Sequence, residues 1–300
     1  MRHLLLDAAV AASMGLAASA AHAQHTARDM WHLYQSTPAD CGSSTRPAFL
    51  CSGIVLRVTV PGNGYYSWHP APLSDQDGGV SFSYIRKDAK FIRFKGNETN
   101  GFTLYPLLGD YKYQGPDTKG KLDVLCAFPL DAWTNGRGPV GGCGANPTYP
   151  AGAPCQKQGI TTAAQWLAHY QQAQQVGQPP YYYQCGFDVS DESSNTAPAF
   201  AQMLQAMSLL GNASLYEQNE IRIKTWPDNW NTQLPIQSFF YLDTGGSQGL
   251  SNAQKDQKDY YTVTKGGFIP IVKITVPQQA GQDYDFHFLP GDQAVPIPAS

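Results

Sequence analysis

The sequence predicts an α+β fold: strand-rich, with mixed or antiparallel sheets, several helices and a disulfide-stapled loop region. Three observations lead there. Short β-branched and aromatic runs recur along the chain. Amphipathic helical segments stand between them without regular βαβ alternation. Two of the six Cys fall in a Gly/Pro-rich stretch. The 300 residues carry 20 Lys+Arg against 23 Asp+Glu, a formal net charge of −3. That balance lacks the electrostatic footprint of a general nucleic-acid binder, though a nuclease with a local basic groove fits it. With 42% hydrophobic and 12% aromatic residues the chain can bury a sizeable core, and it is neither disordered nor collagen-like in composition.

The N-terminus reads as a targeting segment. Met1-Arg2-His3 is a short basic start, Leu4 to Ala21 is mostly small and apolar, and Ala21-His22-Ala23 is an A-x-A pattern. Residues 1–23 are therefore expected to be a secretory signal peptide cleaved near Ala23, with Asp7 an unusual member of the apolar run. A buried N-terminal helix is the alternative. No later stretch approaches the roughly 18 apolar residues of a membrane span. The expectation is an exported protein without a membrane span, secreted or periplasmic, monomeric, with one catalytic domain over 24–300.

Cysteine usage agrees. Cys41, Cys51, Cys126, Cys143, Cys155 and Cys185 make an even count, which in an exported chain suggests three disulfides. Spacing does not choose among the pairings; neighbour pairing, 41–51, 126–143 and 155–185, is the simplest expectation. No Cys/His spacing suits zinc, so no metal is expected.

The elements follow in order. Residues 24–48 are polar and irregular. Strands are expected at Ser52–Val60, with Arg57 in the middle, at Gly79–Ile85, Phe91–Phe94, Phe102–Tyr105 and Leu122–Phe128. Pro61–Gly78 and Asp131–Pro154 read as loops. A helix over Thr162–Val176 opens with a capping box, Thr162 with Gln165. A second, Pro198–Leu210, places Phe200, Met203, Leu204, Met207 and Leu210 on one face and stops at Gly211. A third, Ser251–Val263, opens on Ser251 with Gln254. Strands complete the pattern at Glu220–Trp226, Ser238–Leu242 and Gly267–Val276.

Several catalytic motifs are absent: no P-loop, no G-x-G-x-x-G, no G-x-S-x-G and no H-E-x-x-H. His25, His32, His69, His169 and His287 have no nucleophile nearby in sequence. His69, in the loop Trp68-His69-Pro70, is the one placed to line a site. Asp256, Asp259 and Tyr260 fall on adjacent helical turns, where a solvated face is the simpler reading.

The informative set is spread over three strands. Arg57 lies inside one, Ser81-Phe82-Ser83 inside a second, and Gln218-Asn219-Glu220 opens a third, with Glu217 just before it. In this order the set resembles the signature of the ADP-ribosyltransferase toxin fold, in which an Arg, a Ser-Thr-Ser and a Gln/Glu-x-Glu grip NAD. The resemblance implies a split β-sandwich, with residues 126–185 as a Cys-rich insertion. Phe82 stands where that family has Thr. Cleaving the nicotinamide–ribose bond passes through an oxocarbenium-like state, which a carboxylate beside the ribose stabilises. The implied roles are Glu220 at the ribose, with Glu217 beside it. Arg57 would hold phosphate, and Ser81 would orient the acid. Ser83 and Gln218 would contact substrate, Phe82, Tyr84 and Trp68 are candidates to wall the nicotinamide, and His69 is kept as a substrate-binding candidate from its loop position. Taken singly, each element has a bland reading: an edge charge, the outer face of a strand, a solvated turn.

Longer stretches are similar to the halovibrins, exported bacterial proteins. These are Pro47-Ala48-Phe49-Leu50-Cys51-Ser52-Gly53, Gly78 to Tyr84, Leu125-Cys126-Ala127-Phe128-Pro129, Ala206 to Leu210 and Glu217 to Glu220. That resemblance implies NAD as substrate rather than resident cofactor. The reaction would be hydrolysis to ADP-ribose and nicotinamide, or transfer of ADP-ribose to a host protein, the activity of a toxin. The competing classes are an exported nuclease or glycosidase, and a non-catalytic binder of sugars or surfaces that uses Tyr181-Tyr182-Tyr183 and the Trp-rich loops.

Overall fold

A computed structural model gives the architecture. It describes residues 25–59, 68, 79–94, 98–106, 112–114, 121–132, 143, 154–175, 184–190, 195–211, 217–225 and 234–298. The expected signal peptide, His69, Tyr181–Tyr183 and most of the 131–154 loop lie outside these residues. The described part is α+β, with one mixed sheet, four α-helices and two disulfides.

The strands are β1 (Ile54–Thr59), β2 (Val80–Ile85), β3 (Asn100–Leu104), β4 (Lys112–Gln114), β5 (Lys121–Phe128), β6 (Phe187–Asp188), β7 (Glu220–Thr225), β8 (Ile236–Leu242), β9 (Ile271–Thr275) and β10 (Asp285–Phe288). Their order across the sheet is β10-β9-β8-β3-β1-β2-β7-β5-β4, with β6 added beside β5. The β8–β9 pair is parallel and the other pairs are antiparallel. The helices are α1 (25–35), α2 (Ala163–Gln175), α3 (Thr196–Leu210) and α4 (Gly246–Val263).

Strand alternation sends successive side chains to opposite faces. One face carries Val55, Phe82, Phe102, Ile221 and Phe239 and packs against Trp166 of α2, Phe200 of α3 and Ala253 and Tyr260 of α4. The other carries Ile54, Leu56, Ile85, Phe240 and Leu242 and packs against Met30 and Tyr34 of α1. Because both faces are covered, all seven residues of β8 are buried and the strand has no polar-out alternation.

Several expectations are corrected. Phe91–Phe94 forms no strand. Its two rings turn into the second core instead, in edge contact with each other at 5.0 Å, while the Tyr284 hydroxyl bonds the Phe91 carbonyl. The stretch from residue 25 is helical rather than irregular, because Ala27, Met30 and Tyr34 recur at helical spacing and are buried. α4 starts at Gly246 (φ +59°), five residues before the expected cap at Ser251. The capping box of α2 forms as read: the Gln165 side chain accepts from Thr162 N (3.1 Å), and Gln165 N donates to Thr162 Oγ1 (3.3 Å). Disulfides join Cys41–Cys51 and Cys155–Cys185. The third expected bridge is not formed: Cys126 and Cys143 are buried thiols within a small apolar cluster with Phe128 and Ala132. Gly53, at φ +67°, lies under the Tyr84 ring, where an added Cβ would come within 2.3 Å of the phenol. Among the described residues no helix is long and apolar enough to cross a membrane.

Candidate functional site

The strands bearing the sequence motif are neighbours, in the order β1-β2-β7. Registers then decide which side chains meet. Ser81 of β2 stands opposite Arg222 of β7, and Phe82 opposite Ile221. The alternation Glu220-Ile221-Arg222-Ile223 sends both isoleucines into the main core and both charges to the other face. There Arg222 Nη1 donates to Glu220 Oε1 at 3.2 Å and Arg222 Nη2 donates to the Gly79 carbonyl. Glu220 Oε2 accepts the backbone N–H of Ala132 at 2.9 Å. Glu220 is 1% exposed and Arg222 3%, so this is an ion pair taken out of water. Ser81 is partly exposed beside it and Ser83 is buried.

Residues 217–219 lead into this pair. Glu217 is exposed. The buried Gln218 accepts the Asp131 N–H through its backbone carbonyl (2.7 Å). Asn219 continues the ladder with its side chain: Oδ1 accepts from Tyr84 N and Nδ2 donates to Tyr84 O, both at 2.7 Å. The segment that presents Glu220 is thus tied to the end of β2 and to the 131–132 turn.

Arg57 stands elsewhere. It is opposite Phe102 on β3, in a row across the sheet that contains Phe239, Phe102, Phe82, Ile221, Ala127 and Phe187. Alternation therefore places it on the main-core face, opposite the face that carries Ser81, Glu220 and Arg222. The rings of Phe82 and Phe102 approach to 6.0 Å across it. Among the described residues the Arg57 side chain makes no hydrogen bond or ion pair. Burial first, and the nearby positive charge of Arg222 second, together lower its guanidinium to about 10. Arg222 is thus near enough for its field to act, although the two leave the sheet on different faces.

The aromatic residues expected to wall a nicotinamide are core residues in this structure. Phe82 and Tyr84 are wholly buried, and the Tyr84 hydroxyl donates to the Ser52 carbonyl at 2.9 Å. Trp68 is buried edge-on against Tyr260 at 5.0 Å. Asp256, on the same helix as Tyr260, accepts from Asn100 Nδ2 at 3.0 Å. Among the described residues no group of three His, Cys, Asp or Glu side chains could hold a metal ion.

The sequence reading missed Arg222. The signal was present: a Glu and an Arg two apart in a strand share a face. What sequence lacks is the cross-strand register that sets Ser81 beside Arg222. No protein-family model matches the chain, and no curated protein matches it at a significant level.

Proposed function

We propose that this chain is an exported enzyme that hydrolyses NAD at the nicotinamide–ribose bond, with Glu220 as the carboxylate that stabilises the oxocarbenium-like transition state. The observation that carries the reading is the adjacency of β1, β2 and β7, the three strands that bear the Arg, Ser-x-Ser and Glu of the resemblance. Within that frame Ser81, Glu220 and Arg222 share one face, so the roles of orienting group and acid fall on neighbours. Arg222 joins the set as the group that holds the Glu220 carboxylate in position. Arg57 leaves the sheet on the opposite face, so the cation beside the proposed acid is Arg222 rather than Arg57. Ser81, the partly exposed member of the set, is the point of approach for substrate. The two disulfides suit an oxidising compartment, and the expected signal peptide accounts for export. A split β-sandwich of the ADP-ribosyltransferase kind belongs to the same proposal, as does a host protein in place of water as acceptor.

Incubation of the purified mature chain with NAD, followed by nicotinamide release, tests the reaction. Turnover that falls at least a hundredfold in Glu220→Gln, with the fold retained, supports it. Complete inertness of the wild-type chain toward NAD overturns it. Burial of the Glu220–Arg222 pair favours a second reading, a structural staple that fastens β7 to β2 and to residue 132. That reading predicts a large stability loss on substitution and no NAD chemistry.

A further inference from the structure

A cavity of about 360 Å³ opens where residues 92–94 and 98–99 meet residues 242–245 and 276–278, at the ends of β8 and β9. Its walls are fixed by backbone contacts. Leu242 N donates to the Thr99 carbonyl (2.8 Å), and Val276 N donates to Asp243 Oδ1 (3.1 Å). At Gly245 an added Cβ would lie 2.7 Å from the Thr99 side chain, so the β8–α4 turn sits tightly on this wall. The floor is apolar, from Phe94, Leu242 and Val276, all buried. Two charged side chains line the same space, Arg93 and Glu98.

These two charges are unusual in what they do not do. Glu98 Oε2 is buried without a hydrogen-bond partner. Arg93 is exposed at the rim, and among the described residues it makes no ion pair, with Glu98 or any other acid. Burial pushes the Glu98 carboxyl above the ordinary carboxylate range, its own backbone N–H opposes the shift, and the charge of Asp131 adds to it. A buried acceptor left unmatched is costly, so a ligand that donates to it recovers that loss. Opposite charges that share a cavity without meeting leave room for a molecule carrying both signs.

We propose that this cavity binds a small zwitterion with an apolar side chain, of the class of the free neutral α-amino acids. The ammonium group donates to Glu98, the carboxylate takes the planar guanidinium of Arg93, and the side chain rests on Phe94, Leu242 and Val276. The volume is ample for one amino acid, and the wall supplies the Thr99 and Thr244 hydroxyls as further polar contacts. The site uses none of the residues assigned to NAD, so it stands independently of that reading.

Titration calorimetry on the full chain with L-leucine, N-acetyl-L-leucine and L-leucinamide tests it. Leucine binds, and each capped analogue, lacking one of the two charges, binds at least tenfold more weakly. Glu98→Gln weakens leucine at least tenfold and leaves N-acetyl-leucine unchanged; Arg93→Met weakens leucine and leaves leucinamide unchanged. Absence of leucine binding at millimolar concentration, or equal binding of leucine and both analogues, overturns the proposal without any variant having to fold.

Discussion

Arg222 and Arg57 lie on strands that flank β2, yet the fold treats their charges differently. Arg222 faces a carboxylate two residues away, a backbone carbonyl at Gly79 and Ser81 across the strand pair. Arg57 sits in a row of aromatic and aliphatic residues, with a second guanidinium as the charge that acts on it. The difference teaches where a fold keeps spare capacity. A buried ion pair whose atoms also bond neighbouring backbone holds strands together. A half-buried cation with no counter-charge among the described residues, such as Arg57, has less compensation for its lost hydration.

Substitutions on either side of β2 sharpen the comparison. Glu220→Met strands a buried guanidinium and should cost about 3–5 kcal/mol in urea unfolding, whereas the double change Glu220→Met with Arg222→Met should recover most of that loss. Equal losses in the single and double variants would contradict a coupling between the two charges. Asn219→Ala leaves the Tyr84 N–H and carbonyl unmatched behind that pair and should cost about 2–4 kcal/mol, read the same way. Tyr84→Phe removes one hydroxyl bond to Ser52 and should cost about 1 kcal/mol. Arg57→Met, by contrast, should cost less than about 1 kcal/mol or stabilise the ligand-free chain, since it removes a partly desolvated charge that has no counter-charge among the described residues.

Alkaline pH separates Tyr84 and Arg57 by sign. Burial pushes the Tyr84 phenol up to about 12, so the folded chain keeps a proton that the unfolded chain releases near 10, and stability falls across that window. Arg57 is lowered to about 10 in the folded chain from 12.5, so the unfolded chain binds the extra proton and stability rises across nearly the same window. Unfolding curves between pH 9 and 12 should therefore show a smaller alkaline loss for Tyr84→Phe than for the wild type, and a larger one for Arg57→Met. A change in the reverse direction for either variant would contradict the assigned burial.

Local signals in the sequence were legible where the cause is local. The α2 capping box depends on residues three apart, and the strands β1, β2, β5, β7, β8 and β9 follow from β-branched and aromatic runs. α1 was equally readable, since Ala27, Met30 and Tyr34 keep helical spacing, but its start abuts the expected cleavage site and its length is short. Phe91-Ile92-Arg93-Phe94 misleads because aromatic alternation also suits a coil that drops two rings into a core. The candidate site needed information that no local pattern holds. Composition placed Arg57, Ser81 and Glu220 on strands, and the sheet order made those strands neighbours, but only the register reveals that Arg57 takes the other face and that Arg222 stands with Ser81 and Glu220.

The most direct test of the central claim is the rate of nicotinamide release from NAD by the mature wild-type chain and by Glu220→Gln, both checked for an unchanged circular dichroism spectrum. The account predicts turnover by the wild type and a kcat at least a hundredfold lower in the variant, with KM little altered. Equal turnover by the two proteins would remove Glu220 from the chemistry.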